Sequence, residues 1–255
     1  MNYSLRKKAR YKITGRILRR HFQGLSGNTR HAVSCAAELL GIAPERFAVT
    51  YNGLEFAHLE PTRPAGDVRA ELGLGPDDFV VGTAANLRPW KRIERLLEAA
   101  HDVECPALRV LVLGDGPDLP RLQAIARDLG VQSRVVFAGM RAHVGNELQV
   151  MDAFCLPSDA LESFGNAAVE AMAVGIPTIV FSDSPGLSEH MLPGRTGFVV
   201  GDQTELRDRL MTLIENREVG RSIGAAGRAA VRERYSVDGA VREYKRLYRS
   251  LMLSD

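Results

Sequence analysis

Apolar and polar positions change period several times along this chain. Five short runs are rich in Val, Ile, Leu and Phe, and each is closed by Gly, Pro, Ser or Asn: FVVGTAANL (79–87), LRVLVLGDG (108–116), RVVFAG (134–139), DAFCLPS (152–158) and PTIVFS (177–182). Runs of this length and composition predict buried strands. Between them RIERLLEAAHD (92–102), DLPRLQAIARDLG (118–130), RAHVGNELQVM (141–151) and GNAAVEAMAVG (165–175) repeat their apolar residues at helical spacing. Strand alternating with helix predicts an α/β fold, a doubly wound parallel sheet with helices on both faces. Ligands on such a sheet bind beyond the carboxyl ends of the strands, so the loops that follow the strands are where chemistry is expected.

The two ends read differently. Residues 4–22 predict a basic helix, HAVSC (31–35) a weak strand, AAELLG (36–41) a short helix, and RFAVTYNGLEF (46–56) a strand running into an Asn-Gly turn. From Gln203 onward the pattern is helical. Its last segment, VDGAVREYKRLYRSLML, places Val241, Tyr244, Tyr248 and Leu251 on one face. There is no internal repeat and no low-complexity segment.

Composition narrows the class. With 255 residues, 45% hydrophobic and 25% charged, the chain can bury one sizeable core and part of a second. No apolar run approaches the roughly 20 residues of a membrane span. No signal-type apolar core follows the N-terminal cations, so a cytoplasmic protein is expected. Cys35, Cys105 and Cys155 are far apart and without metal-ligand spacing, which predicts reduced, mostly buried thiols. The histidines are scattered, and no metal is expected. The net charge of +2 conceals an asymmetry, because every formally charged residue between Met1 and Ala37 is Lys or Arg. Such a block is a solvated helix face or a surface that meets phosphates. With only Tyr3, Tyr11 and Phe22 as nearby aromatics, a nucleic-acid partner is not expected.

The stretch ESFGNAAVE (162–170) carries the densest chemistry. It follows the DAFCLPS strand and opens a helix, which sets Glu162 on the loop and Glu170 within the helix. Between them come the backbone amides of Ser163, Phe164, Gly165 and Asn166. Amides at a helix start favour an anion such as a diphosphate. Carboxylates to either side suit hydroxyls flanking that anion, and a nucleotide sugar has this composition. Read blandly, Glu162 is an exposed loop acid and Glu170 a helix acid favoured by the dipole. Cations that could meet a diphosphate lie in NLRPWKR (86–92), where Arg88, Lys91 and Arg92 sit at a helix start that does not favour them.

Those two glutamates, together with GDGP (114–117), FAG (137–139), LPSDALESFGNAAVEAMAVGIPTIV (156–180) and GRTGFVV (194–200) in this order, resemble the family-4 retaining glycosyltransferases of the GT-B fold. The likeness runs from about Arg30 to the C-terminus. It implies that Glu170 binds the ribose of a UDP-, GDP- or ADP-sugar donor and that Glu162 contacts the transferred sugar. It also implies that the amides of Ser163, Phe164, Gly165 and Asn166 hold sugar hydroxyls and phosphate. Lys91 matches the family's lysine, whereas Asn86 stands where the family has arginine, leaving Arg88 as the candidate second cation. Gly139, Met140 and Arg141 fall where the family holds the base. Lysine and helix amides take the place of a metal, so no cofactor is implied.

In domain terms the resemblance implies three parts. Residues 1–45 would be a remnant of an N-terminal acceptor domain, 46–235 a Rossmann-like donor-binding domain, and 236–255 a crossover helix. The apolar face of that helix would be covered by residues 1–43, by a partner chain, or not at all. The implied acceptor is a lipid-linked glycan or oligosaccharide of lipopolysaccharide, exopolysaccharide or glycolipid synthesis. The alternative function is a non-catalytic nucleotide-sugar-binding module that needs a separate acceptor domain. The basic segment 1–22, with Leu5, Ile13, Ile17 and Leu18 joined by Tyr3 or Phe22 as its apolar side, is the expected contact with an anionic inner-membrane surface.

Overall fold

A computed structural model describes residues 5–252, with side chains from residue 10 onward. Its contacts divide into two compact units, one of Met1–Gly53 with Tyr235–Asp255 and one of Leu54–Arg234.

In the first unit come α1 (Leu5–His21), β1 (Leu25–Gly27), α2 (Arg30–Leu40) and β2 (Phe47–Val49). Strands β1 and β2 pair in parallel, Leu25 against Phe47. The HAVSC strand expectation is overturned, because residues 31–35 lie inside α2. Thr29 caps that helix by accepting from the Ala32 amide at 3.0 Å, and Val33 and Ala37, four apart, form its buried stripe. A β-branched valine in a short run imitates a strand, but the cap and the i, i+4 pair decide for helix. The strand expected over 46–56 is only three residues long. No hairpin follows Asn52-Gly53, since β2 pairs with β1 in parallel rather than with a strand folding back on it.

The unit closes with α11 (Val237–Met252), preceded in the chain by α9 (Gln203–Glu215) and α10 (Arg217–Arg234) of the other unit. Val241, Tyr244 and Tyr248 are exposed on α11, and the half-buried positions are Ala240, Leu247 and Leu251. The apolar face read from the sequence is therefore largely uncovered among the described residues. In α1, Ile13 and Ile17 also point outward, at 60% and 51% exposure, while Leu18 is half-buried. Tyr3 and the side chain of Leu5 lie outside the described residues.

The larger unit contains α3 (Ala65–Glu71), β3 (Phe79–Ala84), α4 (Glu94–Asp102), β4 (Leu108–Leu113), α5 (Leu119–Asp128), β5 (Val135–Gly139), α6 (Gly145–Leu148), β6 (Ala153–Leu156), α7 (Asn166–Val174), β7 (Thr178–Phe181), α8 (Pro185–Ser188) and β8 (Phe198–Val200), before α9 and α10. The six strands form one all-parallel sheet in the order β5-β4-β3-β6-β7-β8. The five predicted strands are present; β8 joins them at one edge. The helix expected over 141–151 shrinks to the single turn of α6.

Helices on both faces bury the strands on two sides, which is why these read as continuous apolar runs rather than alternating ones. Val80, Val81, Val110, Leu111 and Val112 have no exposed surface. Each such side chain contributes about 1.5–3 kcal/mol of burial relative to exposure. The winding reverses between β3 and β6, and the loops after these two strands flank the crevice that such a reversal opens.

Candidate functional site

The loop after β3 carries Lys91 and the loop after β6 carries Glu162, and the two side chains form an ion pair across the reversal point. Both are nearly buried, at 12% and 9% side-chain exposure. The Ser158 hydroxyl donates to the same Glu162 oxygen at 3.2 Å. Trp90, whose ring lies 4.3 Å from the Lys91 ammonium, is half-buried. Its carbonyl accepts from the Asp159 amide at 3.0 Å, which ties the two loops through backbone as well. A bland reading of Glu162 as an exposed loop acid is thereby excluded.

The Lys91 turn is shaped by Pro89, which opens a single 3-10 turn, and by Arg92, held at φ 51°. Arg92 is the one non-glycine residue with positive φ among the described residues. Such a conformation is unfavourable for a side chain of this size and marks a locally over-determined loop. Arg92 donates to Glu94 at 2.7 Å. Behind it, Arg95 makes a two-pronged pair with Asp183 at 2.8 and 2.6 Å and stacks 4.6 Å over Phe181. The Arg95 guanidinium also donates to the Pro157 carbonyl at 3.3 Å, so it links the ends of β6 and β7 from beneath. Its hint in the sequence was a cation on α4 amid Leu96, Leu97, Ala99 and Ala100.

Helix α7 starts at Gly165, whose φ of 69° is left-handed. A Cβ there would collide with the Leu187 side chain, so glycine serves both the conformation and the space. Phe164 is buried, and its ring meets that of His190 edge-on at 4.6 Å. The His190 Nε2–H donates to the Phe164 carbonyl at 2.7 Å. Burial holds the His190 pKa down at about 4, against the opposing pull of that carbonyl. His190 thus stays neutral and positions the segment that begins α7. The sequence offered no signal for this role, since an isolated histidine carries no partner spacing.

Glu170, one turn into α7, is one-fifth exposed and sits 3.9 Å from His58 Nε2. Burial raises its pKa, and His58 partly offsets that rise. His58 belongs to a short 3-10 turn at Phe56–Leu59 and was not singled out in the sequence.

Beyond the ends of β3, β4 and β5 lies a cavity of about 440 Å³ lined by Ala84, Asn86, Gly114, Asp115, Met140 and Arg141, among others. Gly114 takes φ 112° with its amide donating to the Gly139 carbonyl at 2.8 Å. A Cβ at Gly114 would strike the Ala85 carbonyl, so the GDGP turn is a close backbone approach that shapes the cavity wall. Met140 is 75% exposed at its mouth. Arg141 is instead tied to Glu71 at 2.8 Å and lies 3.6 Å from Glu147. Asn86 and Arg88 are exposed, and the Arg88 side chain makes no hydrogen bond or ion pair with the described residues.

The sequence-derived residues thus fall into two neighbourhoods at the carboxyl end of the sheet. Lys91 and Glu162 are paired, and Ser163 to Asn166 follow Glu162 into the start of α7. Gly139, Met140 and Arg141 stand at the β5 end. Among the described residues no group of three or more His, Cys, Asp or Glu could hold a metal ion, and no helix is long and apolar enough to cross a membrane. Cys155 is buried, with its thiol pKa raised by desolvation, while Cys35 and Cys105 are half-buried; all three are unpaired.

Comparison with known proteins gives the same site a lineage. The D-inositol 3-phosphate glycosyltransferase of Rhodococcus erythropolis is 35% identical over 196 residues, covering 71% of this chain and 43% of the relative. The N-acetyl-alpha-D-glucosaminyl L-malate synthase of Bacillus anthracis is 29% identical, covering 76% and 51%. The chain therefore spans about half the length of the curated relatives it matches. Among solved structures, HepE of Anabaena in complex with UDP and glucose superposes with a TM-score of 0.86 at 25% identity, covering 98% of this chain and 68% of that one. The C-terminal domain of LpcC, a glycosyl transferase group 1 family protein of Francisella tularensis, is covered in full at a TM-score of 0.64 and 21% identity, a likeness of fold. The model of the glycosyl transferases group 1 family matches residues 66–230, which include both neighbourhoods, and the chain belongs to that family.

Proposed function

We propose that this chain is the donor-binding part of a retaining hexosyltransferase of the family-4 type, taking a UDP-, GDP- or ADP-sugar. The observation that carries the reading is the Lys91–Glu162 pair spanning the reversal point of the sheet. The diphosphate would lie against Lys91 and the start of α7, the hexose against Glu162, and the ribose hydroxyls against Glu170. The base would enter the cavity walled by Gly139, Met140 and the GDGP turn. Negative charge grows on the leaving diphosphate as the glycosidic bond breaks, and a fixed cation in a poorly hydrated crevice stabilises it. In this reading Lys91 and backbone amides, rather than a metal, meet that charge. Glu162 orients the sugar and holds the Lys91 ammonium in place. Arg88, exposed and unpaired, is the candidate second cation.

Calorimetry of UDP, GDP and ADP binding tests the assignment. Glu170→Ala removes charged hydrogen-bond acceptors for the ribose, a loss of about 1.5–3 kcal/mol, so affinity should fall about tenfold or more. Undiminished affinity in a folded variant would sink it. A second reading is a non-catalytic module that binds the donor and needs a separate acceptor domain for transfer. Donor binding without turnover, restored by a partner chain, distinguishes it. Lipid-linked glycans or oligosaccharides of polysaccharide or glycolipid synthesis are the proposed acceptors.

A membrane contact through the first 22 residues belongs to the same proposal. On α1, Ile13 and Ile17 face outward and are flanked by exposed Arg10, Arg16 and Arg20, which suits an anionic bilayer surface. Each cation near such a surface adds about 1 kcal/mol. Vesicles with anionic lipid should sediment the protein at low salt and release it at high salt. Equal binding to neutral vesicles would remove the membrane from the account.

A further inference from the structure

A second cavity, of about 430 Å³, opens at the opposite, amino-terminal end of the strands. Phe79, the first residue of β3, lines it, whereas Ala84 at the far end of the same strand lines the cavity described above. Six strand residues span about 17 Å, so the two cavities are separate places. The floor is apolar, built from Phe79, Leu148, Met151, Ile176 and Pro177.

One wall is α10, and it is strongly basic. Arg217, Arg221, Arg228 and Arg232 all line the cavity, and at 3.6 residues per turn they fall within about 60° of one another around the helix. Only two acids, Glu60 and Asp152, share the lining. Asp152 is committed: it takes Arg217 at 2.6 Å and the Val80 amide at 2.8 Å. Glu60 is 69% exposed and 3.6 Å from Arg232, whose Nε–H donates instead to the Ala173 carbonyl at 3.1 Å. Arg217 and Arg232 are therefore anchored. Arg221 pairs only with Glu218 on the outer surface, both mostly exposed. The Arg228 side chain makes no hydrogen bond or ion pair with the described residues.

Within the lining the arginines outnumber the acids four to two, and they border an apolar floor. Guanidinium forks match phosphate oxygens two at a time, and apolar surface beneath them accommodates an organic ring. The C-terminal end of α7, at Val174 and Gly175, also lines the cavity and opposes an anion through its dipole. Four cations against two acids leave a net positive lining that outweighs that partial charge. The volume is of small-ligand size.

We propose that this cavity is a second binding site, distinct from the sheet-end crevice, for a small phosphorylated molecule of sugar-phosphate size. Arg221 and Arg228 take the phosphate, Arg217, stacked over Phe79, and Arg232 frame it, and the organic part lies against Met151 and Ile176. A ligand there touches the end of α7, the helix that bears Glu170.

The test titrates ribose 5-phosphate, glucose 1-phosphate and inorganic phosphate into the full chain already saturated with UDP, so that the other crevice is filled. Calorimetry should show binding of at least one sugar phosphate. Arg221→Ala/Arg228→Ala should weaken it at least tenfold, while Glu170→Ala leaves it unchanged once UDP is raised to saturate that variant too. Both arginines are exposed, so the double variant should fold, and an unchanged UDP affinity verifies that it does. Methyl NMR should show the Met151 signal shifting with ligand in the parent chain alone. No binding by any of the three probes, binding that survives the double variant, or binding lost with Glu170→Ala would each overturn the proposal.

Discussion

Replacing Lys91 by alanine tests whether the pair across the sheet reversal shapes the site as well as its chemistry. In the folded protein Glu162 keeps 9% of its side-chain surface, and its acid group has two partners, Lys91 and the Ser158 hydroxyl at 3.2 Å. Removing the ammonium strands a carboxylate with one neutral donor. Breaking a fully buried pair from one side costs about 3–5 kcal/mol. Residual exposure lets some water reach the carboxylate, which brings the expected loss to about 2–3 kcal/mol. Loss of the ammonium from the Trp90 face adds about 0.5–1 kcal/mol. For a unit of this size about 3 kcal/mol corresponds to a melting point lower by roughly 6–12 °C. Scanning calorimetry of the parent, Lys91→Ala, Glu162→Gln and the double variant measures it. The double variant should recover about 1–2 kcal/mol relative to Lys91→Ala, since a neutral amide tolerates burial better than an orphaned charge. A Lys91→Ala melting point within about 2 °C of the parent, or a double variant no better than the single, would refute the buried-pair argument.

Three further outcomes are expected. Burial raises the Glu170 pKa, so the folded state holds its proton more tightly than the unfolded chain; stability falls as pH rises from the unfolded value through the raised one. Glu170→Gln should therefore be more stable than the parent at neutral pH in denaturant titrations, while nucleotide affinity drops. For His190 the sign is opposite: with its pKa held down at about 4, the stabilisation is present above its ordinary 6.5 and is lost as pH falls toward 4. That is roughly 3 kcal/mol, and His190→Gln, which keeps a donor for the Phe164 carbonyl, should flatten the pH dependence of the denaturation midpoint over this interval. Gly165→Ala places a Cβ at a left-handed φ and against Leu187, and should cost about 1–2 kcal/mol on backbone conformation alone, read by thermal melts alongside a weaker nucleotide titration.

The larger unit was legible where burial made a long, uniform signal. β3, β4, β5, β6 and β7 are each four to six residues long, mostly apolar and closed by breakers, so their existence followed from composition. β8 is three residues long, too short to separate from a loop. The α2 region misled because one valine in a short run fits either period, and the Thr29 cap with the Val33–Ala37 spacing distinguishes them. Lys91 and Glu162 were legible one by one, as a misplaced cation and a loop acid. Their pairing was not, because it joins loops 71 residues apart and depends on strand order. His58, Arg95 and His190 were invisible as site-shaping residues for the same reason: each acts through a partner brought in by the sheet.

Strand order also explains why the charges sort as they do within the larger unit. At the carboxyl ends of the strands a cation from one loop meets an acid from another, so the crevice holds paired charge able to exchange partners with a ligand. At the amino ends the arginines come from a single helix, α10, and two of them find no acid inside the cavity. Paired charge across a sheet reversal suits a ligand that carries both a diphosphate and hydroxyls, because each half of the pair has something to bind. An excess of guanidiniums beside an apolar floor suits a ligand whose polar end is an anion alone. The two ends of β3 thus present different charge patterns to a ligand, and the two proposed sites rest on that difference.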